Sequence, residues 1–360
     1  MKYRNLLFIF LLSVFASCSK DPELEPDTPP STFKVRIDNV IHETYFDSYP
    51  QGPSLFVPYL VMSGLPEGEK LLAFGGYYSP ENPNPDGSDY TFIHDCADDE
   101  LIQGWDWTQE LIYSAGWIDL PIPGKTYYFK GVVRTNKAVY YSNTVTINTD
   151  GLPGYTPGPQ DRVLPVVFHV MPRKDGTYPH PYFFDEMLAC ANRLYRNVWP
   201  LPGLADAGIR FVPATHAPDG TALSTPGIHY LDERYELDLD ISNEELRQWV
   251  GDNLWEMTEV INVWVSPFIN DHIVSEDTST AGFTFLPYFA PEEMLQGCNT
   301  AVPGCFSGIF LNQEIVGNGY CNSGIAVFAH EAGHYLGLDH VFEEDWCDDT
   351  PQYDRARYRT

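Results

Sequence analysis

The run His330 to His340, HEAGHYLGLDH, holds three histidines and a glutamate at spacings that suit a metal ion. On an α-helix, residues four apart share a face, so His330 and His334 present two imidazoles to one point. Glu331 stands one position past the first of them, beside the ion rather than on it, where its carboxylate can take a proton from a zinc-held water. Gly337 follows three residues after the second histidine. Glycine accepts positive φ, so the helix can stop there and the chain can turn sharply. That turn lets His340 swing back as a third ligand. Three histidines leave a fourth position open, as expected of catalytic rather than structural zinc, and such an ion activates water and polarises a scissile carbonyl. Five fixed residues in this pattern arise by chance in only about 10⁻⁵–10⁻⁴ of chains this long. The remaining histidines (His42, His94, His169, His180, His216, His229 and His272) have no partner at ligand spacing and read as structural or surface residues. Cys96 is a conceivable zinc-blocking thiol, but it too reads as structural.

These side chains need a helix and a sheet to position them. IAVFA, just before His330, supplies the helix with an apolar face, and Asn322 or Ser323 can cap its start. Upstream, LPVVFHVM (Leu164 to Met171) is a continuous apolar run of buried-strand type. Phe184, Met187, Leu188, Ala191 and Leu194 then recur at helical spacing. IRFVPA, VINVWVS, AGFTFLP and SGIFLNQEIVG read as further strands, and a second helix is expected around Asn243 to Glu256. Strands alternating with helices imply a mixed α/β sheet domain over residues 163–360.

Residues 33–149 have a different texture: short alternating segments rich in β-branched and aromatic residues, broken by turns. TYYFKGVVRTNKAVYYSNTVTINT predicts a hairpin around Thr135-Asn136-Lys137. LPIPGKTYYF resembles the corner before the penultimate strand of fibronectin type III and immunoglobulin-like sandwiches, where a tyrosine, here Tyr127 or Tyr128, locks the turn. The expected fold class is therefore α+β, with an N-terminal β-sandwich, a Pro/Gly-rich linker at 150–162, and the metal-site domain after it.

Lys2 and Arg4, an apolar stretch from Leu6 to Phe15, and the small residues before Cys18 read as a secretory signal over residues 1–18. The ending resembles a bacterial lipobox with Cys18 as the acylated residue. An acidic, Pro-rich tether follows over residues 19–32. Together these predict an outer-membrane lipoprotein facing the cell exterior, touching the membrane only through its lipid. The formal charge of −29 argues against a nucleic-acid partner, because phosphate binding needs a basic footprint. Six cysteines besides Cys18 suit an oxidising compartment, and the short spacing of Cys298 and Cys305 makes them the favoured pair. Oligomeric state is not encoded legibly.

HEAGHYLGLDH followed by CDDTPQ (Cys347 to Gln352) resembles the pappalysin-like metzincins, the group that includes ulilysin and cytophagalysin. LPVVFHVM, IRFVPATHAPDG, TPGIHY, INVWV and AGFTFLP match that family's earlier segments in order. The whole layout resembles the zinc-dependent metalloproteinase lipoproteins of Gram-negative bacteria. The resemblance implies that His330, His334 and His340 bind Zn2+, that Glu331 is the general base, and that peptides or proteins are the substrates. It also implies that AGFTFLP is an edge strand pairing with extended substrate. Relatives bind Ca2+ near the loop containing Glu343, Glu344, Asp345, Asp348, Asp349 and Thr350, which offers hard oxygen ligands. Family members carry a methionine turn after the third histidine; none of the 20 residues after His340 is Met, so a fragment ending before that turn is expected. The alternative function is a non-catalytic surface-binding lipoprotein with a vestigial zinc site.

Overall fold

The computed structural model describes residues 32–44, 54–199, 205–233, 236–238, 244–269, 280–284, 308–317, 323–338 and 340. It is a mixed α+β structure. The N-terminal half contains two antiparallel sheets. One joins β1 (Lys34–Thr44), β2 (Ser54–Ser63) and β5 (Leu111–Ser114), with β6 (Ile118–Asp119) also on β2. The other runs in the order β4 (Tyr90–Asp95), β3 (Leu71–Ser79), β7 (Thr126–Thr135), β8 (Val139–Asn148). A single helical turn, α1 (Glu100–Gln103), lies between β4 and β5 and is capped by Asp99. Alternate residues of both sheets, among them Leu60, Met62, Phe74, Tyr78, Phe129 and Val133, enter one apolar cluster. Leu60 of β2 packs so closely on Gly131 of β7 that a Cβ there would sit 2.4 Å from it.

The expected hairpin is β7–β8, with Thr135 Oγ1 accepting from the Lys137 and Ala138 amides in the turn. Of the two candidate corner tyrosines, Tyr127 makes the bond: its fully buried hydroxyl accepts the Ile122 N–H at 2.8 Å. Cys96 is buried in the same half, with its thiol pushed up to about 12 by burial, so it packs as an inert apolar residue.

The C-terminal half is built on β9 (Arg162–Val170). The sheet order is β10 (Ile209–Pro213), β9, β13 (Ile261–Ser266), β16 (Ile309–Asn312), β15 (Gly282–Thr284). The first four strands are parallel and β15 is antiparallel; β11 (Ile228–Tyr230) also lies parallel to β9. A two-residue pair, β12 (Leu237–Asp238) and β14 (Phe268–Ile269), stands apart. The helices are α2 (Pro181–Tyr195), α3 (Glu244–Asn253) and α4 (Ser323–Tyr335). Period-two alternation sorts β9 by face: Val166, Phe168 and Val170 join the cluster containing α2 and α4, while Val167 and Met171 join two smaller clusters. Helix α2 departs from its expected single apolar stripe. Leu194 is exposed, and the nominally polar Glu186 and Arg193 are buried because the N-terminal half covers that side, while Asn192 is buried against the Phe211 backbone of β10.

Cys18, His272, Cys298, Cys305, Cys321, the acidic group at 343–350 and the CDDTPQ segment lie outside the described residues. Among the described residues, no helix is long and apolar enough to cross a membrane.

His169 is fully buried on the sheet face away from α4, stacked on Trp264 at 4.3 Å. Asn262 Oδ1 accepts from the Trp255 amide and faces His169 Nε2 at 2.9 Å, so that nitrogen carries the proton. His169 Nδ1 therefore accepts from His229 Nδ1, 2.9 Å away. Burial holds the His169 ring neutral down to about pH 3. In the unfolded chain it protonates near its ordinary value of 6.5. The unfolded state thus binds the extra proton between those limits, and stability from this group falls as pH drops from 6.5 towards 3, by on the order of 5 kcal/mol in full. Chemical denaturation across that range should give a flatter profile for His169→Gln than for the parent; identical slopes would disprove this role.

Candidate metal centre

Helix α4 is seated by its inward face. Phe328, fully buried, lies 5.6 Å from the Phe168 ring and 5.5 Å from the Phe211 ring. Small residues let α2 approach closely: Ala329 and Ala332 are buried, and a Cβ on Gly333 would stand 3.3 Å from the Tyr195 hydroxyl. That hydroxyl donates to the Ala329 carbonyl at 3.1 Å, the residue just before His330.

The helix ends as the glycine predicted. Gly337 has φ of +96°, a conformation that side chains with a Cβ rarely adopt. The Gly337 amide donates to His334 O at 2.9 Å, and the Leu338 amide donates to Gly333 O at 2.9 Å. These two bonds make a complete Schellman motif. The motif also sets chemistry, because it presents the Leu338 carbonyl 2.7 Å from His334 Nδ1. The Nδ1 proton is committed there, which leaves the His334 Nε2 lone pair facing outward.

All three predicted ligands come together. His334 Nε2 lies 3.1 Å from His330 Nε2 and 3.1 Å from His340 Nε2, and the last two are 3.3 Å apart. His330 is exposed at its rim but partly desolvated where it packs, and this, reinforced by the neighbouring His334 and His340 rings, depresses its pKa to about 4 and favours a free lone pair. An ion about 2.05 Å from each nitrogen would see them at angles of roughly 100°, close to tetrahedral. The donor set therefore fits zinc, with one position left over.

Glu331 is buried, and its Oε2 has no hydrogen-bond partner among the described residues. Burial raises its carboxyl to about 7, against the opposing influence of His334. Strand β15, which ends the sheet among the described residues, crosses directly above it. A Cβ on Gly282 would lie 3.1 Å from Glu331 Cγ and 3.0 Å from both Val327 Cγ1 and the Phe310 carbonyl. Sequence reasoning did not single out Gly282, Leu338 or Tyr195. For Gly282 the available signal was a glycine opening a strand pattern, which often marks close backbone approach.

Residues 244–358, about a third of the chain, match the family model described as Peptidase_M43, pregnancy-associated plasma protein-A. This segment is similar to that family. The family is one of metalloproteases and implies zinc. Among solved structures, mature mirolysin from Tannerella forsythia with a cleaved peptide aligns at 18% identity and a TM-score of 0.39, covering 53% of this chain and 67% of that one. Promirolysin from the same organism aligns at 17% and 0.38, covering 53% of this chain and 60% of its own length. At TM-scores this low the likenesses carry no argument. No curated protein matches the chain.

The Schellman turn places both His340 and the carbonyl that fixes His334. Gly337→Ala should therefore weaken zinc binding about tenfold, corresponding to about 1.4 kcal/mol of backbone strain. Gly337→Asn, which tolerates positive φ better, should lose less. Competition against a chromophoric chelator measures both, and equal affinity in all three proteins would remove the turn from the metal site.

Proposed function

We propose that this chain provides the zinc site of an endopeptidase acting on peptide or protein substrates at the cell envelope. His330, His334 and His340 hold the ion and Glu331 is the general base. The observation that carries this reading is the meeting of three imidazole Nε2 atoms at 3.1–3.3 Å beside a buried carboxylate with one unpaired oxygen. Zinc, when bound, supplies a Lewis acid that makes water nucleophilic near neutral pH and polarises a carbonyl.

The chain's own groups do the rest. The Leu338 carbonyl keeps the His334 proton on Nδ1. Glu331 Oε2, unpaired and shielded from bulk water, accepts the proton of the attacking water and delivers it to the departing amine. Among the described residues β15 has one sheet neighbour, β16, so its other edge can hydrogen-bond an extended peptide and lay the scissile bond over Glu331. Display on the outer membrane rests on the signal-like residues 1–18 and the lipobox-like Cys18. The N-terminal sheets are read as a fibronectin III- or immunoglobulin-like sandwich, a reading supported by the Tyr127 corner.

Glu331→Gln should keep one zinc per chain while cleavage falls by about 10²–10⁴-fold. Chelation should abolish cleavage in the parent, and added zinc should restore it. Wild-type cleavage by Glu331→Gln would eliminate Glu331 as the base. A zinc-loaded parent that cuts nothing in a diverse peptide library would eliminate the protease reading itself.

A further inference from the structure

Helix α2 has two working faces. Tyr182, Glu186 and Arg193 follow one another at four and seven residues, so they lie on one side. Glu186 and Tyr195 are nine residues apart, two and a half turns, so they lie on opposite sides. The first side belongs to the N-terminal half. Glu186 Oε2 accepts from the Tyr90 hydroxyl and Oε1 from the Tyr127 hydroxyl, both at 2.6 Å. The Tyr182 hydroxyl donates to Asp89 Oδ1 at 2.8 Å, and Arg193 donates to the Pro121 carbonyl at 2.7 Å and to the Leu120 carbonyl. Phe183 packs edge-on against Tyr90 at 4.4 Å, and the Thr91 amide donates to Gly317 O at 2.9 Å. Glu186, Tyr90 and Tyr127 are all buried, so these are charge-assisted bonds sheltered from water.

The second side belongs to the metal site. Phe184 meets Phe168 at 4.8 Å, and Phe168 in turn meets Phe328 of α4. Asn192 exchanges two hydrogen bonds with the Phe211 backbone, at 2.7 and 2.8 Å, fixing α2 along the sheet edge. Tyr195 then reaches the carbonyl of Ala329, one residue before His330.

We infer that Glu186, gripped by Tyr90 and Tyr127, is a positioning residue for the zinc ligands, and that the N-terminal β half works as a brace for α4 through α2. Glu186 touches neither ligand nor substrate. Its effect is to hold α2 at the depth where Tyr195 and Phe184 set α4, and hence His330 and His334. The inference rests on the zinc-site reading above.

The test uses the full chain and reads zinc affinity, kcat, KM and melting temperature together. Glu186→Leu removes both charge-assisted bonds while leaving the Tyr127–Ile122 corner. It should weaken zinc binding about tenfold and lower kcat with little change in KM. Glu186→Gln, which can still bond a tyrosine, should recover most of both. Tyr90→Phe removes one of the two bonds while keeping the ring and every residue of α2, and should move zinc affinity in the same direction by a smaller factor. If Glu186→Leu and Tyr90→Phe melt earlier yet bind zinc and turn over like the parent, Glu186 contributes only stability and the inference is overturned. If Glu186→Leu does not fold, Tyr90→Phe alone decides on the same readouts. Should the parent bind zinc but cleave nothing, the protease reading fails while the zinc affinities still decide the brace.

Discussion

Three imidazole lone pairs cannot be brought within hydrogen-bond distance of one another unless the backbone holds them there. In water the rings would turn outward, and a metal ion binding to mobile ligands would bear the full entropic cost of ordering them. Here the ordering is done by the protein. Phe328 fixes the roll of α4, the Tyr195 hydroxyl fixes its depth at Ala329, and the Schellman turn at Gly337 fixes where His340 returns. A largely parallel sheet covered by α2 and α4 gives the helix an apolar floor, and β15, at its end among the described residues, overlies Glu331.

Two buried glutamates show how environment separates roles. Glu186 and Glu331 are both shielded from water, and burial raises both carboxyls. Glu186 spends both oxygens on tyrosine hydroxyls, which draw its pKa back down and make it a fixed joint between the two halves. Glu331 keeps one oxygen unpaired. A buried acceptor left open costs folding free energy of about 1–3 kcal/mol, and such groups collect where chemistry is done. The distinction lies in the hydrogen bonds and is invisible in residue type.

Legibility in the sequence tracked the range of the interactions. The candidate metal site depends on local geometry: helical spacing for His330 and His334, positive φ at Gly337, and a short return to His340, so those residues were readable together. The β7–β8 hairpin and β9 were readable for the same reason, since pairing across a short turn and unbroken apolar runs are local signals. Helix α2 was half readable. Its apolar stripe was evident, but Tyr182, Glu186 and Arg193 look like a solvated face until the partners at positions 89, 90, 120, 121 and 127 are known. Those contacts span 59 to 96 residues of chain, and no local pattern encodes them. The choice between Tyr127 and Tyr128 also needed the fold, because only the buried ring reaches Ile122. Gly282 was hidden for a related reason: its small size answers to Glu331 and Val327 on a distant helix.

Zinc K-edge X-ray absorption on the metal-loaded full chain tests the central claim most directly. Three imidazole nitrogens and one further oxygen, all at about 2.0–2.1 Å, are expected. A sulfur shell near 2.3 Å, which would bring a cysteine to the ion, or a chain that retains no zinc at all, would contradict it.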